Sequence, residues 1–287
     1  MRLKWYGWFG LAWMLAAQVL MFLQVEPVHQ WFTPIIWTGY ILFADALVLR
    51  LRGCSLIHDR PREFAMMAWL SVLFWLVFEL YNLRLANWYY INVPKDAWLR
   101  NLAFLWSFAT IFPGLFETSE WLTAALRIDL GRRHVSKRCF GIWWHVSVVV
   151  GLLFLVVPPL LSYRISRFLF GFVWLGVIFF LDPINHRLGA PSLIAEWEEG
   201  RLGRTMALLA GGAVCGVLWE FWNFWAGAKW IYAVPILGDI KIFEMPVLGF
   251  LGFPPFCMEC FVLYQFARRV LWGRAWAPND PGLERVV

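Results

Sequence analysis

The sequence predicts an all-α integral membrane protein with about eight transmembrane helices, formed by a parallel tandem duplication of a four-helix unit. Three observations predict this fold class. First, 61% of the 287 residues are hydrophobic and only 15% are charged, whereas soluble domains carry about a quarter charged residues. Second, the hydrophobic residues form runs of about 20, the length of helix that spans the hydrocarbon core of a bilayer. Third, a pattern of polar and aromatic residues occurs twice along the chain.

The apolar runs define the transmembrane segments, and the basic residues between them define the orientation. Lys and Arg are concentrated after the second, fourth, sixth and eighth runs, around Arg50, Arg132, Arg187 and Arg268. Because cytoplasmic loops carry an excess of these residues, both termini are expected in the cytoplasm, and the membrane is expected to be the bacterial inner membrane. The first run lacks a small-residue cleavage site, which favours a retained span over a signal peptide. The predicted spans are 5–25, 32–49, 64–83, 102–126, 140–161, 168–181, 206–226 and 243–267.

The internal repeat covers most of the chain. Ten residues of segment 37–57 recur unchanged in segment 174–194, which lies 137 positions later. Each copy contains four predicted spans, an even number, so both copies are expected to have the same orientation in the membrane. The sequence therefore predicts two units, residues 1–130 and residues 131–287. Further on, at shifts of 141 and 142 positions, the matches are Glu79 with Glu220, Asn82 with Asn223, Trp88 with Trp230 and Tyr90 with Tyr232.

Composition and motifs disfavour several classes of function. The net charge of +6 comes from basic residues in loops beside the spans, so nucleic-acid binding is not expected. Cys257 and Cys260 lack the second pair of ligands that a zinc site needs, and they are expected to be packing residues, with a redox pair as the alternative. Because no nucleotide-binding or metalloprotease motif is present, no metal and no cofactor are expected.

Acidic residues inside the spans are the main candidates for chemistry. A charged side chain at the centre of a membrane helix costs about 2.5–3.5 kcal/mol on insertion scales, so such residues usually face the interior of a helix bundle. Glu79 and Asn82 share one helix face, and Glu220 and Asn223 repeat this spacing. Two interpretations remain open. Each pair bonds to a neighbouring helix, or each glutamate acts as an acid among aromatic rings.

Proline residues precede two further acids in the spans. Pro113 interrupts the fourth span before Glu117, and Pro254 interrupts the eighth before Glu259. A broken helix at membrane depth requires protein or a water-lined cavity around the freed carbonyl groups. Such a break indicates either a binding site or a packing kink. Glu244 has no counterpart in the first copy, which favours the second half as the active half.

These patterns define a candidate site. Aromatic rings are included because they stabilise a developing cation. The candidate catalytic residues are Glu220, Glu244, Glu259 and Glu79. The candidate substrate-binding residues are Asn82, Asn223, Trp88, Trp219, Trp222, Trp225, Trp230 and Tyr232. Outside this site, Asp45 and Asp182 are expected to form caps or salt bridges, with a phosphate or headgroup site beside Arg50 and Arg187 as the alternative.

Segment 228–242 resembles a known family. It reads Ala228-Lys229-Trp230-Ile231-Tyr232, followed by Pro235, Ile236-Leu237-Gly238 and Ile240-Lys241-Ile242. This stretch is similar to part of the polytopic lycopene cyclase domain, in which a Trp-x-aromatic turn precedes a Pro-x-Glu-Glu helix. The resemblance implies a shared membrane fold. In place of the paired glutamates, this chain has Glu244-Met245-Pro246.

Three functions are consistent with these observations. The first is an enzyme with an aromatic- and carboxylate-lined intramembrane cavity that performs acid–base chemistry on an isoprenoid or another long apolar lipid. The second is a non-catalytic scaffold subunit that binds lipid or pigment in a membrane complex. The third is a transporter or channel with paired intramembrane acids. The expected partners are a membrane lipid or apolar small molecule, together with partner subunits or further copies of this chain.

Overall fold

The computed structural model describes residues 2–128 and 141–272. Within these ranges the chain is mostly helical, and seven helical segments are long and apolar enough to cross a membrane. The only strands in the described part form two small two-stranded sheets. Two predictions lie outside the described residues: the boundary between residues 130 and 131, and the basic residues around Arg132.

Each predicted span overlaps a helix. The helices are α1 (Trp5–Phe22), α2 (Phe32–Arg52), α3 (Leu56–Asp59), α4 (Pro61–Leu85), α5 (Ala97–Ala109), α6 (Ile111–Ala125), α7 (Trp143–Leu160), α8 (Tyr163–Ser166), α9 (Phe170–Leu188), α10 (Leu193–Glu198), α11 (Gly203–Trp225), the 3-10 helix (Val247–Gly252) and α12 (Phe253–Trp272). The candidate spans are α1, α2, α4, α5 with α6, α7, α11, and α12 with the 3-10 helix before it. The strands are β1 (Trp88–Ile91), β2 (Lys229–Tyr232), β3 (Lys241–Ile242) and β4 (Met245–Pro246).

The predicted sixth span forms α9 but differs from the other spans in composition. The helix continues past the apolar run through Asp182, Asn185, His186 and Arg187. These polar residues lower its mean hydropathy, and α9 is not among the seven helices that are apolar enough to cross a membrane. Seven candidate spans are therefore found where about eight were predicted.

Glycine pairs bring two pairs of helices into close contact. A Cβ atom on Gly10 of α1 would lie 2.6 Å from the carbonyl oxygen of Gly39 in α2. A Cβ atom on Gly176 of α9 would lie 3.2 Å from the carbonyl oxygen of Gly151 in α7. Small residues allow helix backbones to approach this closely within a membrane. Glycine is therefore required where α1 crosses α2 and where α7 crosses α9.

The helix breaks occur next to the predicted prolines. The fourth span is interrupted at Thr110, between α5 and α6. The Ser71 hydroxyl of α4 donates to the carbonyl oxygen of Phe108 at 2.5 Å and accepts from the amide of Phe112 at 3.1 Å. A neighbouring helix thus satisfies backbone groups that the break releases, as buried backbone groups require.

The two repeated aspartates cap short segments that follow their helices. Asp45 accepts the amide of Ile57 at 2.7 Å. Asp182 accepts the amides of Leu193 and Ile194 at 2.9 and 2.8 Å. The interpretation of these aspartates as capping residues is confirmed, because each accepts a backbone amide from the segment that follows its helix.

A buried ion-pair cluster joins the start of α4 to the end of α12. The carboxylate of Glu63, whose side chain is 1% exposed, lies 2.9 Å from the Arg60 guanidinium. It also accepts the Tyr264 hydroxyl at 2.9 Å and lies 3.5 Å from the Arg268 guanidinium. The cluster lies at the opposite end of α4 from β1, and it holds α4 and α12 together.

Candidate functional site

The site is built around a two-stranded ladder that joins the two halves of the chain. β1 follows α4 and β2 follows α11, and the two strands pair antiparallel. Trp88 lies opposite Tyr232, and Tyr90 lies opposite Trp230. The Trp-x-Tyr segments that repeat in the sequence therefore meet in space.

An asparagine at the end of each preceding helix holds each strand. The Asn82 amide donates to the Trp88 carbonyl at 2.8 Å and accepts from the amides of Asn87 and Trp88. The Asn223 amide donates to the Trp230 carbonyl at 2.9 Å and accepts from its amide at 3.0 Å. Both asparagines, predicted as substrate-binding residues, thus bind strand backbone, and neither lines the pocket described below.

Replacement of Asn223 by leucine is expected to lower the free energy of unfolding by roughly 2–4 kcal/mol, because two buried backbone groups of Trp230 lose their partner. Thermal unfolding and hydrogen exchange at the Trp230 amide measure this effect. Asn101→Leu, at an exposed position of α5, is the matched control. It should leave both the midpoint of thermal unfolding and the exchange rate of the Trp230 amide unchanged. If the midpoint of thermal unfolding is the same in Asn223→Leu as in the wild type, the asparagine does not hold β2.

A tyrosine hydroxyl from each strand donates to the glutamate of the preceding helix. In the first half, Glu79 Oε1 accepts from the Tyr90 hydroxyl at 2.6 Å. The same oxygen accepts from the indole nitrogens of Trp75 and Trp88 at 3.0 and 3.1 Å. Three donors therefore satisfy this oxygen of Glu79 and hold the side chain in place.

The second glutamate has fewer partners. Glu220 is fully buried, and its Oε1 accepts from the Tyr232 hydroxyl at 2.8 Å. Its second oxygen, Oε2, is buried and has no hydrogen-bond partner among the residues that the structure describes. An unsatisfied buried oxygen is unfavourable for a purely structural residue. Glu220 is therefore the better placed of the two glutamates to bind or release a proton.

Both strand tyrosines are held in the neutral form. Burial raises the pKa of Tyr90 and the pKa of Tyr232 well above the ordinary value, and the neighbouring carboxylates of Glu79 and Glu220 raise them further. The phenols are therefore protonated donors at any physiological pH. While each hydrogen points to its glutamate, the oxygen lone pairs of the phenol remain to accept a hydrogen bond from the other side.

A pocket lies beside the ladder, and residues of both halves of the chain line it. Its cavity volume is about 120 Å³, roughly ten times the space that one water molecule needs on the same measure. Half of its lining residues are aromatic. The lining residues are Gln30, Thr33, Pro34, Trp75, Trp88, Tyr90, Val93, Pro94, Arg100, Ala103, Phe104, Ser107, Phe108, Ile111, Trp174, Trp219, Ala228, Lys229, Trp230, Tyr232, Phe253 and Phe256.

The lining of this pocket differs from the predicted carboxylate lining. None of the lining residues is an acid, because the glutamates of α4 and α11 are bonded to tyrosines that lie between them and the pocket. The charged lining residues are Arg100 and Lys229. Lys229 pairs with Glu244 at 2.8 Å.

The remaining predicted site residues are distributed between the pocket and its surroundings. Trp219 and Trp230 line the pocket. Trp222 packs edge-on against Trp37, with ring centroids 5.0 Å apart, and Trp225 is 43% exposed. Neither of these two rings lines the pocket. Trp222 contributes to helix packing, and Trp225 lies at the surface.

Glu259 lies apart from the pocket. It is fully buried on α12, and neither carboxylate oxygen has a hydrogen-bond partner in the described part of the chain. Cys257 and Cys260 beside it are buried free thiols. No cluster of potential metal ligands occurs among the described residues.

Several lining residues were not predicted. Tyr90 was identifiable, because it matches Tyr232 in the repeat. Arg100, Phe104 and Ser107 form one face of α5 at spacings of three and four residues, a helical stripe that the sequence carries. Trp174 and Phe256 carry no local signal, since only the packing of α9 and α12 brings them to the pocket.

Comparisons of this chain with models of known protein families, with curated proteins and with solved structures find no match.

Proposed function

We propose that this pocket binds a long apolar molecule, an isoprenoid or another membrane lipid, and that Glu220 and Tyr232 perform acid–base chemistry on it. One observation carries the proposal: a tyrosine hydroxyl bonded to a buried glutamate lies at the wall of a pocket lined by aromatic rings. An apolar lining with a few convergent polar groups is typical of a small-molecule site. The resemblance of segment 228–242 to the polytopic lycopene cyclase domain supports an isoprenoid as the ligand.

The proposed proton path runs through Tyr232. A ligand group that donates to the phenol oxygen transfers its proton to Tyr232, while the phenol proton moves to Glu220. The ligand X–H bond and the original phenol O–H bond break, and a new phenol O–H bond and a carboxylic acid O–H bond form. The reverse sequence returns the proton to the ligand. Aromatic rings around the site, among them Trp219 and Trp230, stabilise any positive charge that develops.

The first test is the composition of the apolar extract from protein purified in mild detergent, measured by mass spectrometry. We expect one lipid enriched over the bulk membrane. Ser107→Trp, which fills the pocket from α5, should remove this enrichment. Leu105→Trp, on the same helix but 41% exposed, is the matched control and should retain it. A wild-type extract with the composition of the bulk membrane would overturn the proposal.

We further propose that the chain lies in a bacterial inner membrane, with about eight spans, both termini in the cytoplasm and two duplicated units. Basic residues at alternate loops support the orientation. The duplication is supported by contacts that occur in both halves: Asn82 and Asn223 bind strands, and Tyr90 and Tyr232 bind glutamates. A phosphatase fused to the C-terminus, which is active only outside the cytoplasm, should be inactive; an active fusion would reverse the orientation.

A further inference from the structure

The pocket follows one face of α5. Arg100, Phe104 and Phe108 lie on this face and all line the pocket. At a rise of 1.5 Å per residue, Arg100 and Phe108 are about 12 Å apart along the helix axis. Beyond Phe108 the lining continues to Ile111 and Phe256. A ligand that fills this space is therefore a chain rather than a compact molecule.

The two ends of this pocket differ in polarity. Arg100 lies in the first turn of α5, and the polar residues Gln30, just before α2, and Thr33, in its first turn, also line the pocket. The other end is lined by Ile111, Phe256 and neighbouring aromatic rings. The wall thus changes from polar to apolar along α5, as a binding site for an amphiphile does.

Arg100 has an uncompensated positive charge. Among the described residues it forms no ion pair, and its guanidinium has only a long contact of 3.5 Å to the Lys95 carbonyl. The other cation of the lining, Lys229, is neutralised by Glu244 at 2.8 Å. Since no lining residue is an acid, a ligand is the available source of a negative charge for Arg100. A planar guanidinium binds carboxylate or phosphate through two parallel hydrogen bonds.

We propose that the ligand of this pocket is an anionic amphiphile, with its carboxylate or phosphate group at Arg100 and its apolar chain extended along α5 toward Phe256. This inference rests on the proposed function and specifies its substrate class. The anionic group anchors one end of the chain. The phenol of Tyr232 then faces the body of the ligand, and the headgroup remains outside the proton path.

Three probes with the same chain test the headgroup: farnesoate, farnesyl phosphate and farnesol, each radiolabelled. Equilibrium binding is measured at pH 7 with the full-length protein in a neutral detergent. We expect at least one of the two anions to bind the wild type roughly 10- to 100-fold more tightly than farnesol, the range for a hydrogen bond to a charged group. Which anion binds distinguishes a carboxylate from a phosphate ligand. Ser107→Trp should abolish binding of all three probes.

Two arginine variants test whether Arg100 causes the preference for anionic probes. Arg100→Gln should reduce anion binding to the level of farnesol, whereas Arg164→Gln, an exposed arginine on α8, should retain the preference. The inference is overturned if farnesol binds the wild type as tightly as both anions, or if Arg100→Gln retains the preference. In either case the apolar pocket of the proposed function stands. If none of the probes binds the wild type, the proposed function fails together with the inference.

Discussion

Replacement of Glu220 by glutamine is expected to slow conversion of the bound lipid by about 10²- to 10⁴-fold, the usual contribution of a general acid or base. Glutamine has the shape of glutamate and its carbonyl oxygen can still accept from Tyr232, so the fold and the lipid content should be retained. The amide does not take up a proton at neutral pH. Mass spectrometry of the lipid that co-purifies with the wild type, after incubation in liposomes, measures the conversion.

Two further variants make this experiment specific. Tyr232→Phe removes the hydroxyl that lies between Glu220 and the pocket, and it should lower the rate over the same range. Glu117→Gln is the matched control, because Glu117 is also a buried glutamate in a span but, unlike Glu220, accepts no hydrogen bond from a residue that lines the pocket in the described part of the chain. If Glu220→Gln converts the lipid at the wild-type rate, Glu220 is not the acid or base of the reaction. The amount of lipid that co-purifies with this variant still measures whether the pocket binds it.

Replacement of Glu63 by alanine is expected to lower the free energy of unfolding by about 3–5 kcal/mol, the effect of removing one partner from a buried ion pair. The carboxylate of Glu63 is in contact with Arg60, Tyr264 and Arg268. Without it, positive charge remains in a buried position at the junction of α4 and α12. Thermal or denaturant unfolding in detergent, followed by tryptophan fluorescence, measures the loss.

A graded series distinguishes this effect from a general loss of charge. Tyr264→Phe removes one hydrogen bond to Glu63 and should lower stability by about 1 kcal/mol. Glu26→Ala, at a side chain that is 60% exposed, should change it by less than about 0.5 kcal/mol. If Glu63→Ala and Glu26→Ala unfold at the same midpoint, the cluster does not hold α4 to α12.

The helical part of the fold was predictable because its signal is local. A run of about 20 apolar residues is sufficient to predict a helix that spans a membrane, and every predicted span overlaps a helix. The end of α9 was not predictable in this way. Asp182 and Asn185 stop the apolar run, but the helix continues because these side chains bond to segment 193–194 and to Val262 of α12. The hydropathy of a segment does not indicate contacts with such distant partners.

The candidate site was only partly predictable, because its residues act through partners far along the chain. Glu79 and Glu220 were identifiable as costly acids in spans, and the repeat indicated that they are equivalent. The pairing of β1 with β2 joins residues more than 130 positions apart, and it decides that the tyrosines, rather than the glutamates, face the pocket. The asparagines were predicted as ligand contacts, because a backbone partner in a short strand has no sequence signature.

The ladder between β1 and β2 makes the two glutamates interdependent. Trp88 donates to Glu79, and its strand partner Tyr232 donates to Glu220. A ligand that displaces either strand therefore changes the surroundings of both carboxyl groups at once. By thermodynamic linkage, any effect that a ligand bound beside one glutamate has on binding beside the other is returned by the same factor. The molecule thus has the connectivity for cooperativity within a single chain.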